Sequence, residues 1–178
     1  MELLMSVEFR LGDCREELKK LSEVSAIITS PPYSFQKSYA DYKDNLTIVE
    51  YEKFTKEWLS AAYSCLKKDG RLIVNVPTVI PLEAGGAVTF LLPRYYKWLE
   101  ETGFKVLEEI VWVKANELVT EKEFRASGKT AWGSWRSPSN PHMRSIREFI
   151  LVAYKEQRRK EGRKEDIDIT SEEFLAWT

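Results

Sequence analysis

The chain has 178 residues, 27 Lys+Arg against 28 Asp+Glu, 43% hydrophobic and 12% aromatic side chains. That make-up suits one folded domain with a real core and argues against disorder, collagen or a two-domain enzyme. No apolar run approaches the roughly 18 to 20 residues of a membrane span, and Met1-Glu2-Leu3-Leu4-Met5 is too short and wrongly charged for a secretory signal. A cytoplasmic protein with no membrane partner is expected. Cys14 and Cys65 stand far apart, with no CxxC spacing and a single histidine, His142, so neither a disulfide framework nor a metal site is expected.

In chain order, short β-rich runs alternate with helical periods, the pattern of an α/β sheet. Residues 6–11 alternate like a strand and stop at Gly12-Asp13, where Asp13 and Glu16 form a capping box for a helix carrying Leu18 and Leu21. Residues 25–29 are a short apolar run bounded by turn signals, expected as a strand buried on both faces and ending in Ser30-Pro31-Pro32-Tyr33. A polar loop follows, whose Tyr39 and Tyr42 read either as a lid or as ordinary loop tyrosines. The clearest helix comes next: Thr47 and Glu50 cap it, Tyr51, Phe54, Trp58, Ala61 or Ala62 and Cys65 form a packing face, and Gly70 stands as its C′ glycine. Residues 71–76 read as another buried strand, closed by Pro77. A helix is expected over 93–101, ended at Gly103, and strands over 105–114 and 148–154, separated by a loop of roughly 33 residues, a length that in a compact domain is usually functional. Residues 155–166, with six basic and four acidic groups, read as a solvated linker or helix extension. Thr170 and Glu173 then open a short helix whose apolar face begins with Phe174 and Trp177.

The tetrapeptide Ser30-Pro31-Pro32-Tyr33 falls at the carboxyl end of a strand, where open α/β sheets place ligands. Consecutive prolines fix φ and remove backbone donors, leaving a stiff turn whose carbonyl groups are free to accept hydrogen bonds. With the Ser30 hydroxyl beside them and the Tyr33 ring available, the constellation suits a planar base bearing an exocyclic amino group. The acceptors take its N–H bonds, draw the nitrogen toward tetrahedral geometry and stabilise the charge that builds as it attacks an electrophilic methyl, while the tyrosine stacks on the ring. A purely structural turn is the alternative reading of these residues.

Gly12-Asp13, Ile27-Ile28-Thr29-Ser30-Pro31-Pro32-Tyr33, Gly70-Arg71-Leu72-Ile73-Val74-Asn75, Trp112-Val113-Lys114 and Ala131-Trp132-Gly133-Ser134-Trp135-Arg136-Ser137-Pro138-Ser139-Asn140-Pro141, followed by Arg147-Glu148, resemble the DNA amino-methyltransferases of bacterial and archaeal restriction–modification systems. The match is to the circularly permuted order, in which the catalytic half precedes the cofactor half. The resemblance implies an α/β fold: a partial S-adenosylmethionine-dependent methyltransferase (Rossmann-like) sheet, mostly parallel with an antiparallel C-terminal strand. It also implies methyl transfer from S-adenosyl-L-methionine to N4 of cytosine or N6 of adenine in a flipped-out base. Ser30, Pro31, Pro32 and Tyr33 would form the catalytic turn, with Asp13 and Ser30 toward the cofactor; Asp13 reads equally well as the helix cap. Residues 1–154 would be the catalytic domain and 155–178 a charged linker with a short helix.

The chain departs from that family in one respect: the glycine-rich F-x-G-x-G turn is missing, and the glycine pair Gly85-Gly86 follows the wrong strand. In the permuted order the turn should follow the segment ending in Phe174-Leu175-Ala176-Trp177-Thr178. The strand over 25–29 is therefore expected to present an unpaired apolar edge. Either a second polypeptide supplies the missing turn and strands of a split enzyme, or the chain is a relic that self-associates or rearranges its strands. A catalytically silent DNA-binding or assembly subunit is the competing class, and an RNA amino-methyltransferase a third. Toward DNA, residues 122–147 hold six basic side chains against Glu123, a local +5, interleaved with Phe124, Trp132 and Trp135. Lys122, Arg125, Lys129, Trp135, Arg136, Arg144 and Arg147 are the expected DNA contacts, a solvated loop being the alternative and His142 incidental.

Overall fold

The computed structural model describes residues 6–34, 38–39, 42–81, 88–113, 137–139, 141, 147–163, 167 and 169–176. Helix α1 (Cys14–Glu17) runs through a 3-10 turn (Leu18–Lys20) to β1 (Val24–Thr29) and a small pair, β2 (Ser38–Tyr39) and β3 (Tyr42–Lys43). Then come α2 (Ile48–Cys65), β4 (Leu66–Pro77), β5 (Val79–Pro81), β6 (Val88–Phe90), α3 (Leu92–Glu101), β7 (Lys105–Val113), β8 (Arg147–Tyr154) and α4 (Ser171–Ala176). The main sheet has the order β1-β4-β8-β7. β1 pairs parallel with β4, while β8 runs antiparallel to both β4 and β7. β1, β4 and β7 therefore share one direction and the C-terminal strand opposes them, as the resemblance implies.

The two-residue period of a strand decides which side of the sheet is core. Leu72, Val74 and Val76 of β4, with Leu151 and Ala153 of β8, are fully buried against Tyr51, Trp58 and Leu59 of α2 and Tyr95, Trp98 and Leu99 of α3. The Tyr51 and Tyr95 hydroxyls, 3.0 Å apart, join the two helices inside that core. The alternate β4 residues Arg71, Ile73 and Asn75 are only half-buried, which leaves room for a polar side chain in the strand. α2 starts where its capping box stands: the Thr47 hydroxyl accepts from the Glu50 N–H at 3.3 Å and the Thr47 N–H donates to the Glu50 carboxylate at 2.9 Å. α3 has proline in its first turn and stops at Gly103, whose φ of +97° is left-handed. The same box of Thr170 and Glu173 opens α4, whose Phe174 and Leu175 are exposed. Among the described residues no helix is long and apolar enough to cross a membrane.

Several expectations fail. Residues 6–11 form no strand, and Val7, Phe9 and Leu11 are exposed; an alternating run becomes a strand only where another offers it a ladder, and no described strand does. β1 is not buried on both faces: it is one of the two edge strands of its sheet and its Ile28 is 76% exposed. Among the described residues no strand pairs with its outer edge, as expected. Gly70 is not a helix cap, because α2 ends at Cys65 and the chain passes directly into β4 at Leu66. The β1–β4 register jumps from Leu66 to Arg71 at an irregularity, and a Cβ on Gly70 would stand 2.9 Å from Leu66 Cδ2 and from the Lys67 carbonyl oxygen. Glycine is thus required by close approach at a bulge. Residues 155–163 form no helix extension; the Glu156 and Gln157 N–H groups donate to the Lys68 carbonyl and Arg71 donates to the Gln157 and Arg158 carbonyls, laying this segment along the start of β4.

Candidate active site

β1 carries Ser30-Pro31-Pro32-Tyr33 to the carboxyl end of the sheet, with Pro31 buried, Pro32 and Tyr33 half-buried and Ser30 exposed. Thr29 pairs with Val74, so the chain leaves β1 one residue short of the level of Asn75, and there the side chains meet. Ser30 Oγ lies 2.6 Å from the Tyr33 hydroxyl. Asn75 Nδ2 donates to the Tyr33 oxygen at 2.7 Å and to Glu148 Oε2 at 2.7 Å, and the Tyr33 hydroxyl donates to the Asn75 main-chain carbonyl at 3.4 Å. Glu148 can reach because Asn75 opposes Ile150 in the antiparallel ladder, which puts residue 148 on the diagonal of the same face.

The next residue closes the turn. Ser34 takes φ +59°, a left-handed conformation that costs a side-chain-bearing residue about 1–2 kcal/mol. Its N–H donates to Oδ1 of the buried Asp44 at 2.7 Å and its hydroxyl to the Leu46 carbonyl at 2.8 Å. Prolines on one side and this pair of bonds on the other hold the turn in a single shape.

Pro32 also lines a cavity of about 540 Å³, together with Gly12, Asp13, Leu46, Lys53 and Phe54. Asp13 caps α1 by accepting the Arg15 N–H at 2.9 Å and holds the Arg15 guanidinium at 2.6 Å. Arg15 reaches on to Glu57 at 2.6 Å and lies 5.3 Å from the centre of the Phe54 ring. The side-chain hydrogen bonds from Arg15 pull the Asp13 carboxyl down from 3.8 to about 2, so at neutral pH Asp13 stands in the cavity wall as a carboxylate paired with the Arg15 guanidinium. The expected capping box is incomplete: Glu16 instead pairs with Lys19 at 2.7 Å. One carboxylate caps the helix and lines the cavity, so the two readings of Asp13 are compatible. Ser30 is not among the residues lining this cavity; its described bond is to Tyr33.

Arg147 begins β8 at the same end of the sheet as Ser30, exposed, with its guanidinium 5.4 Å from the centre of the Phe149 ring. Lys122, Arg125, Lys129, Trp135, Arg136 and Arg144, with Phe124, Trp132 and His142, lie outside the described residues. Tyr39 and Tyr42 pair in the short β2–β3 ladder. Among the described residues no His, Cys, Asp or Glu cluster is arranged to hold a metal ion. Asn75 and Glu148 carried no role in the sequence reading, although an amide inside an apolar strand and an acid opening another were visible signals; Asp44, in a polar loop, gave none.

Comparison with known proteins decides the family. The model of the N6/N4 methyltransferases, described as DNA methylase, matches residues 24–174. The chain belongs to the N6/N4 DNA methylase family. Type II methyltransferase M.MjaVI of Methanocaldococcus jannaschii is 38% identical over 158 residues, 87% of this chain and 73% of that protein. Type II methyltransferase M.BglII of Bacillus subtilis is 27% identical over 117 residues, 66% of this chain and 31% of that protein. Among solved structures, TTHA0409 of Thermus thermophilus, assigned as a DNA modification methylase, aligns with a TM-score of 0.58 at 22% identity, over 87% of this chain and 57% of that one. PvuII DNA methyltransferase (cytosine-N4-specific) aligns with a TM-score of 0.56 at 18% identity, over 81% and 47%. These likenesses show a shared methyltransferase fold, of which this N6/N4 DNA methylase spans about half the length found in the solved structures.

Proposed function

We propose that the chain is the catalytic half of a site-specific DNA methyltransferase that moves a methyl group from S-adenosyl-L-methionine to the exocyclic amino nitrogen of cytosine (N4) or adenine (N6) in a flipped-out base. The observation that carries this reading is the Ser30–Tyr33 turn itself, rigid, with Ser30 exposed at the sheet's carboxyl end and Pro32 joining it to the Asp13 cavity. TTHA0409 has also been solved in complex with S-adenosyl-L-methionine, and the residues here fit one end of such a molecule. Asp13 would accept from the adenosine portion against the apolar walls of Pro32, Leu46 and Phe54. When bound, the cofactor supplies an electrophilic methyl on a positively charged sulfur.

The chemistry at the base falls to this chain. Ser30 Oγ and the Pro31 carbonyl accept the two amino N–H bonds, turning the nitrogen lone pair out of the ring plane, and the Tyr33 ring stacks on the base. The lone pair forms the new N–C bond, the sulfur keeps the electrons of the bond that breaks, and the nitrogen then loses a proton to water. Arg147 and the basic 122–147 segment contact the DNA backbone. The completing partner, a second polypeptide carrying the glycine-rich turn or a second copy, docks on the outer edge of β1, where no described strand pairs and Ile28 is exposed.

The test mixes the chain, with and without its candidate partner, with methyl-labelled cofactor and DNA, then digests to nucleosides. Label in N4-methylcytosine or N6-methyladenine is expected, with Ser30→Ala lowering incorporation by roughly 100-fold, as loss of a transition-state acceptor does. Unchanged turnover in Ser30→Ala would refute the assignment.

A further inference from the structure

We propose that Ser34 is a positioning residue for methyl transfer: held in a left-handed conformation by Asp44 and Leu46, it sets where the Ser30–Tyr33 turn presents the base to the cofactor cavity. The inference rests on the function proposed above and gives the buried pair Ser34 and Asp44 a task in it.

Covalent structure already stiffens most of the turn. Pro31 and Pro32 fix their own φ, and a residue that precedes proline is kept extended, which applies to Ser30 and to Pro31. What backbone freedom remains lies between Pro32 and Ser34, and that is where the tertiary bonds act. Ser34 takes φ +59°. Side-chain-bearing residues disfavour that region by roughly 5- to 30-fold, so without support residue 34 would leave it and the turn would swing with it. The support is double: the Ser34 N–H donates to the Asp44 carboxylate at 2.7 Å and its hydroxyl to the Leu46 carbonyl at 2.8 Å. Among the described residues the other side-chain-bearing residue with a left-handed φ is Glu23, which is exposed and lies at the far end of β1 from the turn. Ser34 and Asp44, by contrast, are 4% and 2% exposed. A strained residue persists only where its surroundings over-determine it, and such residues gather at sites of chemistry. The place of the anchor has a consequence for the reaction. Asp44 and Leu46 lead directly into the Thr47 cap of α2, and Leu46 lines the Asp13 cavity beside Pro32. One short segment therefore holds both the acceptor turn and a wall of the cofactor cavity. Methyl transfer needs the amino nitrogen within about 3–3.5 Å of the methyl carbon, and a displacement of about 1 Å costs on the order of 100-fold.

In the methylation assay used for Ser30→Ala, run as single turnovers, Asp44→Leu removes the acceptor. It is expected to slow methyl transfer by about tenfold at saturating DNA, the value of one hydrogen bond to a charged group, with the half-saturating DNA concentration changed by less than about twofold. Glycine enters the left-handed region about as readily as the right-handed one, so adding Ser34→Gly to Asp44→Leu should regain at least about threefold. A carboxylate that merely stabilised the fold would give no such rescue. Ser34→Asn and Ser34→Val add similar bulk, but asparagine tolerates a left-handed φ and valine does not. Ser34→Val should therefore be slower than Ser34→Asn by roughly fivefold or more, a comparison that stands even where Asp44→Leu fails to fold. With Ser30→Ala slow, three results each overturn this inference and leave the proposed function standing: Asp44→Leu at the wild-type rate, Asp44→Leu slow without rescue by glycine, or equal rates for Ser34→Asn and Ser34→Val. Ser30→Ala at the wild-type rate overturns the function. A second measurement needs no turnover: in the full chain labelled with ¹⁵N-serine, the Ser34 amide resonance, identified by its loss in Ser34→Gly, should exchange with water faster in Asp44→Leu. Unchanged exchange overturns the inference whatever the assay shows.

Discussion

At the scale of single residues, Asp13 carries a pH signature. Its carboxyl is held by Arg15 at about 2, against 3.8 in the unfolded chain. A depressed carboxylate stabilises the fold fully above its unfolded value, and that contribution is lost as the pH falls from 3.8 toward 2. Because the side chain is 42% exposed, solvent screening keeps the contribution below about 1 kcal/mol. Asp13→Asn should therefore flatten the acid limb of stability between pH 3.8 and about 2 and leave its shape above about pH 5 untouched, read by thermal melts across roughly pH 2 to 6. An acid limb as steep as wild type would mean that the Arg15 pair contributes nothing. If Asp13 also holds the adenosine end of the cofactor, the same variant weakens cofactor binding by calorimetry.

Single elements are set by their ends. The Thr47–Glu50 box satisfies donors at the start of α2 that no helical carbonyl can reach. Thr47→Ala should cost about 1 kcal/mol, a drop of roughly 2–4 °C in melting temperature for a chain of this size. At the other end of α3, Gly103 sits at φ +97°, and an added Cβ would meet the Tyr63 ring at 3.1 Å. Gly103→Ala suffers on both counts and should lose more stability than Thr47→Ala in the same melts. Equal melting points for Gly103→Ala and wild type would show that the backbone relaxes out of the left-handed region.

On the scale of the whole molecule, the open side of β1 matters most. An exposed edge strand is a liability in a lone chain and a template for a partner. Ile28 is 76% exposed in that strand, so Ile28→Lys should leave the melting point of the isolated chain nearly unchanged, within the roughly ±0.5 kcal/mol of ordinary surface substitutions. Where a partner docks there, the new charge would be buried without a counter-ion, and assembly by analytical ultracentrifugation, together with methylation, should fall away. Full assembly by Ile28→Lys would place the docking surface elsewhere.

Local chemistry was legible in the sequence because it is local. Thr47 and Glu50 stand three apart, so their box needs nothing but the helix it starts; Pro31 and Pro32 stiffen their own turn; the alternation of Leu72, Val74 and Val76 marks a strand wherever that strand lies. Residues 6–11 show the limit of such reading. Their alternation is as clear as that of β4, yet they form no strand, since a ladder needs a second strand and the sequence cannot say whether one is at hand. Gly70 misled for the same reason, its role being set by the bulge against β1. The Ser30–Tyr33–Asn75–Glu148 chain joins residues far apart in sequence through two strand pairings. Composition and spacing determined that there is a stiff acceptor turn ending a strand; only the order β1-β4-β8 decided which amide and which carboxylate stand behind it, because hydrogen bonds act over about 3 Å and the register of the sheet is what brings distant residues within that reach.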